Sequence, residues 1–279
     1  MNIIRIPIAV GMILLFSCIA YASDADHDSR RLTAAEQKTF FPLVCNKPIL
    51  HDKENSCAAL NSYPGDTPTF DKSSLSLDAI AYGSFTSVAA DQAYVTYSAD
   101  FEPHVNNFGG GILFERTTGR WKLIRWYPGG QMDRCLALPL AGTLNMLCLS
   151  GYTGQGEVDS SVWLQHIPQS NERNVQLKAM AAILKAQDDR ESGNSNYQCA
   201  MKRAKNEAIL LSIDNLKRSK TPGFFAESSV TYVTVRDEKV ACIKGEFADV
   251  KETRAVVRYE LHGGKIFPVT PIKFAPTDY

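Results

Sequence analysis

Residues 93–167 read AYVTYSADFEPHVNNFGGGILFERTTGRWKLIRWYPGGQMDRCLALPLAGTLNMLCLSGYTGQGEVDSSVWLQHI. Apolar or alternating runs are parted in turn by tight turns and by polar, glycine-rich stretches, the pattern of consecutive antiparallel strands. The segment 134–149 carries its own register test. If Ala141-Gly142 is a two-residue hairpin loop, counting outward sets Cys135 across from Cys148 and Pro139 across from Leu144. Opposed residues have Cα atoms about 4.5 or 5.5 Å apart, within the range a disulfide accepts. Pro139 then falls at a non-hydrogen-bonded position, where its missing N–H costs nothing within the pair. Both features fit one register, so a Cys135–Cys148 bridge across a hairpin is expected.

Working upstream, 110–116 and 121–127 flank the turn 117–120, in which Gly119 supplies the left-handed conformation of a hairpin. Strict alternation sends Trp121, Leu123 and Arg125 to one face and Lys122, Ile124 and Trp126 to the other, one tryptophan per face. Segments 82–89 and 93–98 form a further strand pair around the short turn 90–92. Downstream, 161–167 reads as a strand ending at Pro168. Leu177, Met180, Ala181 and Leu184 then recur at i, i+3, i+4 and i+7 behind a capping Ser170, which predicts an amphipathic helix packed on the core. Strands are expected again at 207–213, 228–236, 239–247, 254–262 and 265–269, with tight turns at Asp237-Glu238 and Gly263-Gly264.

This pattern predicts a mainly β protein, an antiparallel meander of about ten to twelve short strands with one or two short helices. Propeller-like, barrel and sandwich arrangements all satisfy it, and no WD or kelch signature selects among them. The expected organisation is a leader at 1–22, a disulfide-pinned loop and short helix at 23–79, a first meander at 80–168, a helix and linker at 169–206, and a second meander at 207–279 packed with the first. Within 23–79, residues 24–32 read as frayed. Thr33-Ala34-Ala35-Glu36 has capping-box spacing, so a short helix starts there and stops before Pro42.

The N-terminus places Arg5 before an apolar run and ends it at Ala20-Tyr21-Ala22, the layout of a secretory signal peptide. A minority reading has Leu15-Phe16-Ser17-Cys18 as a lipoprotein signal with a lipid anchor on Cys18. Periplasmic or secreted export is expected, with no transmembrane span in the mature chain. Of seven cysteines, Cys18 leaves with the leader; the even remainder favours disulfides in an exported chain, in sequence order Cys45–Cys57, Cys135–Cys148 and Cys199–Cys242.

The 30 Lys and Arg match 30 Asp and Glu, and the leader carries only Arg5, so nothing draws the chain to nucleic acid. No Cys-x-x-Cys or ordered calcium loop is present, so neither metal nor cofactor is expected. Gly-x-Ser-x-Gly, Ser-x-x-Lys and His-Glu-x-x-His are also lacking, and 151–156 is glycine-rich without a following helix to hold phosphate.

A meander places every second connection at one rim. The polar loops 99–109, 128–134 and 151–160 would gather Asp100, Glu102, His104, Asn106, Asp133, Arg134, Tyr152, Gln155, Glu157 and Asp159 there. Loops on a rigid scaffold are where function concentrates. With Tyr152, Phe108 and Tyr127 as aromatic platforms, the rim suits a protein, peptide or glycan partner. Two alternatives stand beside this binding module: a hydrolase of envelope polymers, with Glu102 or Glu157 paired to Asp133 or Asp159 at about 5 to 9.5 Å, and a structural or assembly factor with a flat apolar surface. The plainest account of the same residues is that Asp, Asn and Gly make turns.

Overall fold

The computed structural model describes residues 27–46, 48–49, 56–57, 59–64, 73–99, 109–128, 134–140, 142–154, 157–167, 180–188, 207–234 and 250–274. The expected leader, Cys18, Cys199, Cys242 and strand 239–247 lie outside these residues. No helix among them is long and apolar enough to cross a membrane.

The capping box forms as spelled. Thr33 Oγ1 accepts from the Glu36 N–H, and Glu36 Oε2 accepts from the Thr33 N–H at 2.8 Å. The helix α1, Ala34–Val44, runs on through Pro42, where the sequence predicted a stop. Pro42 is exposed, while Phe40 and Val44 are buried and hold the final turn on the sheet. Asn61 completes the helix end: its side chain donates to the Leu43 carbonyl and its backbone N–H to Val44.

Beneath α1 lies a seven-stranded antiparallel sheet of β1 (Arg30–Arg31), β2 (Pro48–Ile49), β3 (Ser56–Cys57), β4 (Ser73–Gly83), β5 (Gln92–Ala99), β6 (Gly109–Thr117) and β7 (Arg120–Pro128). The order is β2-β3-β4-β5-β6-β7, with β1 on β4. The turn after β6 has positive φ at both Thr118 (51°) and Gly119 (77°), as a two-residue hairpin requires. Two expectations are corrected here. The strand expected at 82–89 ends at Gly83, and 84–90 is a turn. Buried Gln92 builds that turn: its Oε1 accepts from the Phe85 and Thr86 N–H groups, and its Nε2 donates to Thr86 Oγ1 and Glu115. The tryptophans share one face. The register of β7 slips at Ile124, between the pairs Phe114–Leu123 and Leu113–Arg125, and this bulge returns Trp126 to the core that Trp121 and Leu123 already enter.

The second sheet, in the order β11-β10-β9-β8, comprises β8 (Arg134–Leu140), β9 (Thr143–Gly154), β10 (Glu157–Gln165) and β11 (Met180–Asp188). Its first hairpin has the expected register, with Cys135 opposite Cys148, Pro139 opposite Leu144, and the disulfide formed at a Cα separation of 4.0 Å. Cys135 turns its N–H and carbonyl away from β9, toward Ser29, which marks the pair as non-hydrogen-bonded. Of the helix expected at 177–184, residues 180–184 are instead part of β11, and 177–179 lie outside the described residues. The edge of β10 offers unpaired backbone groups to it, and a bulge at Ile183 brings Ile183, Leu184 and Ala186 into one core. That insertion breaks the period of two and imitates a short helical pattern.

The third sheet is β12 (Ala208–Arg218), β13 (Ala226–Thr234), β14 (Thr253–His262) and β15 (Lys265–Val269), paired in chain order. Gly263 and Gly264 make the last hairpin, both at positive φ. The strands form open sheets with no closed barrel among the described residues. They stack in chain order. Tyr94, Leu113 and Tyr127 of the first sheet share a core with Cys135, Met146 and Cys148 of the second. Leu136, Leu147 and Val162 of the second share another with Ile213, Val230 and Tyr259 of the third. The first interface needs Gly111, because the Tyr94 ring occupies the space a Cβ there would take.

Residues 27–31 are not frayed but stitched across all three sheets. His27 Nδ1 donates to the Tyr82 carbonyl. Asp28 accepts from the Ala137 N–H and from Arg218 of β12, Ser29 exchanges hydrogen bonds with Cys135, and Arg30 and Arg31 pair with Ile80 and Ala79.

Candidate functional site

The strands of the first sheet set out a polar end. Ala99, Gly109 and Pro128 finish there, since Leu75 faces Ala99 and Gly110 faces both Tyr97 and Pro128. The connections 100–108 and 129–133 therefore leave from this end, as a meander demands. At the same end β4 carries a bulge at Asp78, because Leu77 pairs with Tyr97 and Ala79 with Thr96. The bulge, the N-terminal segment and α1 enclose a cleft of about 770 Å³, a size suited to a small ligand. Arg30, Arg31, Gln37, Ser76, Asp78 and Arg134 line it, with Ser29, Leu32, Leu77 and Ala79.

The charges in this cleft are unequal in freedom. Arg30 is committed: its guanidinium meets Glu36 with two bonds, 2.8 and 2.7 Å. That fork holds the Glu36 carboxyl far below its usual pKa, helped by the Thr33 N–H and the Tyr82 hydroxyl. A depressed carboxylate contributes its stability above the ordinary carboxylate range and loses it as pH falls through the lowered value. Burial pushes the Tyr82 hydroxyl up, and Glu36 adds to the shift. Gln37 Nε2 donates to the Leu77 carbonyl at 2.7 Å and fixes the helix against the bulge. Among the described residues, no acid pairs with Arg31 or Arg134.

Among the described residues Asp78 is the one carboxyl lining the cleft. Burial raises its pKa, against the pull of hydrogen bonds from Ser76 (2.7 Å) and Ser98. A raised carboxyl is fully stabilising below its ordinary pKa and loses that contribution as pH rises through the raised value. Asp78→Asn, which mimics the neutral acid, is therefore expected to leave the melting midpoint unchanged near pH 4 and to raise it by roughly 1–2 °C at pH 8. Equal midpoint changes at the two pH values would count against a buried, reluctant acid.

Of the residues expected at the rim, the cleft takes Arg134, the exposed first residue of β8. Asp100, Glu102, His104, Asn106, Asp133 and Gln155 lie outside the described residues, as does Phe108. The stretch 151–160 is not a long loop. β9 and β10 continue into it as far as Gly154 and from Glu157, with Tyr152 paired to Asp159 and Gly154 to Glu157. Tyr127 is not a platform: it is buried between the first two sheets, and burial pushes its hydroxyl up to about 12. His166 engages Asn145 and His262 engages Glu260, each apart from the cleft lining. No group of three potential metal ligands occurs among the described residues.

Arg30, Arg31, Gln37, Ser76 and Asp78 were not expected at a site. The signal for Asp78 is visible in hindsight as a lone acid inside the alternating run SSLSLDAI, where a bulge can place it. For Arg30 and Arg31 the sequence offers only adjacency, and their pairing with β4 is long-range.

The fold and cleft define a mainly β, disulfide-linked protein of stacked meanders with an arginine-lined cleft at one sheet end. The Cys45–Cys57 and Cys135–Cys148 disulfides are compatible with an exported protein. No protein-family model matches the chain, and no curated protein matches it in sequence.

Proposed function

We propose that this is an exported binding module, released to the periplasm or exterior after removal of residues 1–22, whose ligand seats in the cleft beside β4. The reading is carried by a concave, polar, ligand-sized cleft at the sheet end from which connections 100–108 and 129–133 depart. Among the described cleft-lining residues a two-carboxylate hydrolysis has no pair, because Asp78 is the one carboxyl there.

Ser76 is exposed in the cleft wall, so Ser76→Trp fills the cleft without entering the core. Thermal-shift measurements with neutral and acidic oligosaccharides and short peptides test the reading. At least one of these ligands is expected to raise the wild-type midpoint and to leave the midpoint of S76W where it stands without ligand, the S76W melt remaining cooperative although Asp78 loses its Ser76 hydrogen bond. A panel without effect, or an equal shift in S76W, would overturn the proposal.

A further inference from the structure

We infer that the cleft recognises a carboxylate group, held by Arg31 and Arg134. This rests on the reading that the cleft binds the ligand, and adds the chemistry by which it selects. Among the described residues three guanidinium groups line the cleft. The first, Arg30, has both terminal nitrogens on Glu36, which also accepts from Tyr82 and Thr33, so this cluster is internally neutralised. Arg31 and Arg134 remain, drawn from different parts of the chain: Arg31 from β1 on the edge of β4, Arg134 from the start of β8. Both are exposed, and no described acid pairs with either.

Asp78, the one acid among the described lining residues, does not balance the pair. Asp78 is partly buried in its bulge and already accepts from the Ser76 hydroxyl at 2.7 Å. The described lining residues therefore carry surplus positive charge within a chain of formal net charge +0. The planar fork of arginine matches a carboxylate through two parallel hydrogen bonds, which a sugar hydroxyl or a neutral amide cannot return. The backbone of both arginines is fixed: β1 is paired to β4, and β8 is held by Ser29 and Asp28 at Cys135 and Ala137. Such fixed placement lowers the ordering cost of a two-point contact.

The carboxylate could come from a uronic acid or from a peptide C-terminus, and paired probes separate these sources. Calorimetric titrations would use a uronic-acid disaccharide with its methyl ester, and a tripeptide with its C-terminal amide. One acid is expected to bind at least about tenfold more tightly than its neutral partner, with the difference shrinking as salt is raised. Arg31→Ala and Arg134→Ala are each expected to remove most of that difference. Both positions are exposed, so circular dichroism and melting midpoints should match the wild type. Equal binding of an acid and its neutral derivative, blocked by S76W, would overturn the carboxylate assignment and leave the binding cleft standing. Acid preference that survives in both arginine variants would overturn the role of these residues. Absence of binding by every probe and by the wider panel would overturn both readings.

Discussion

Replacing Cys135 and Cys148 together by alanine is expected to destabilise the protein by about 3 kcal/mol, the scale for opening a disulfide loop of this length. The cysteines are separated by 13 positions and both are wholly buried. The bridge ties the two strands that carry the interface between the first and second sheets, where it packs beside Phe85, Tyr94 and Tyr127. Urea unfolding should show a lower midpoint and a steeper slope, because the freed denatured chain exposes more surface. An unchanged midpoint would show that the hairpin and the packing beneath it hold without the bond.

The next largest effect is expected from Asp28→Ala, a loss of about 2–3 kcal/mol. Its carboxylate accepts from the Ala137 N–H at 2.8 Å and from Arg218 Nε and Nη2 at 3.0 and 2.6 Å. Ala137 is fully buried, so the variant leaves an unpaired N–H in the core, together with a guanidinium three-quarters withdrawn from water. Arg218 also donates to the Ala137 carbonyl and lies over the Phe225 ring, so the two residues act as one clamp between the second and third sheets. In a double-mutant cycle, Asp28→Ala with Arg218→Ala should cost clearly less than the sum of the single variants. Additive losses, or an Asp28→Ala effect within 0.5 kcal/mol, would show that the N-terminal segment is only laid on the surface.

The fold was legible where local chemistry and pairing agree. The hairpin at 134–149 announced its register through two cysteines and a proline, and 117–120 and 263–264 announced their turns through residues at positive φ. The sequence misled where one residue changed the phase. Ile124 and Ile183 are bulges, and each carries side chains to the face opposite from the one alternation predicts. Gln92 hid a turn, because its side chain supplies hydrogen bonds that a neighbouring strand would otherwise supply.

The candidate site was less legible still. Polarity drew attention to 99–109, 128–134 and 151–160, yet the cleft is lined mainly by residues 29–32, 37 and 76–79, with Arg134 joining them. By itself the sequence determined a mainly β, disulfide-linked chain, because alternation, turn residues and cysteine spacing act over a few neighbouring positions. Only the tertiary structure decided that three sheets stack in chain order, that 180–188 is a strand, and that the segment at 27–31 seals two sheet edges and sets Arg31 in one cleft with Asp78 and Arg134. These depend on backbone groups far apart in the chain finding partners, and no local pattern encodes which edge will need one.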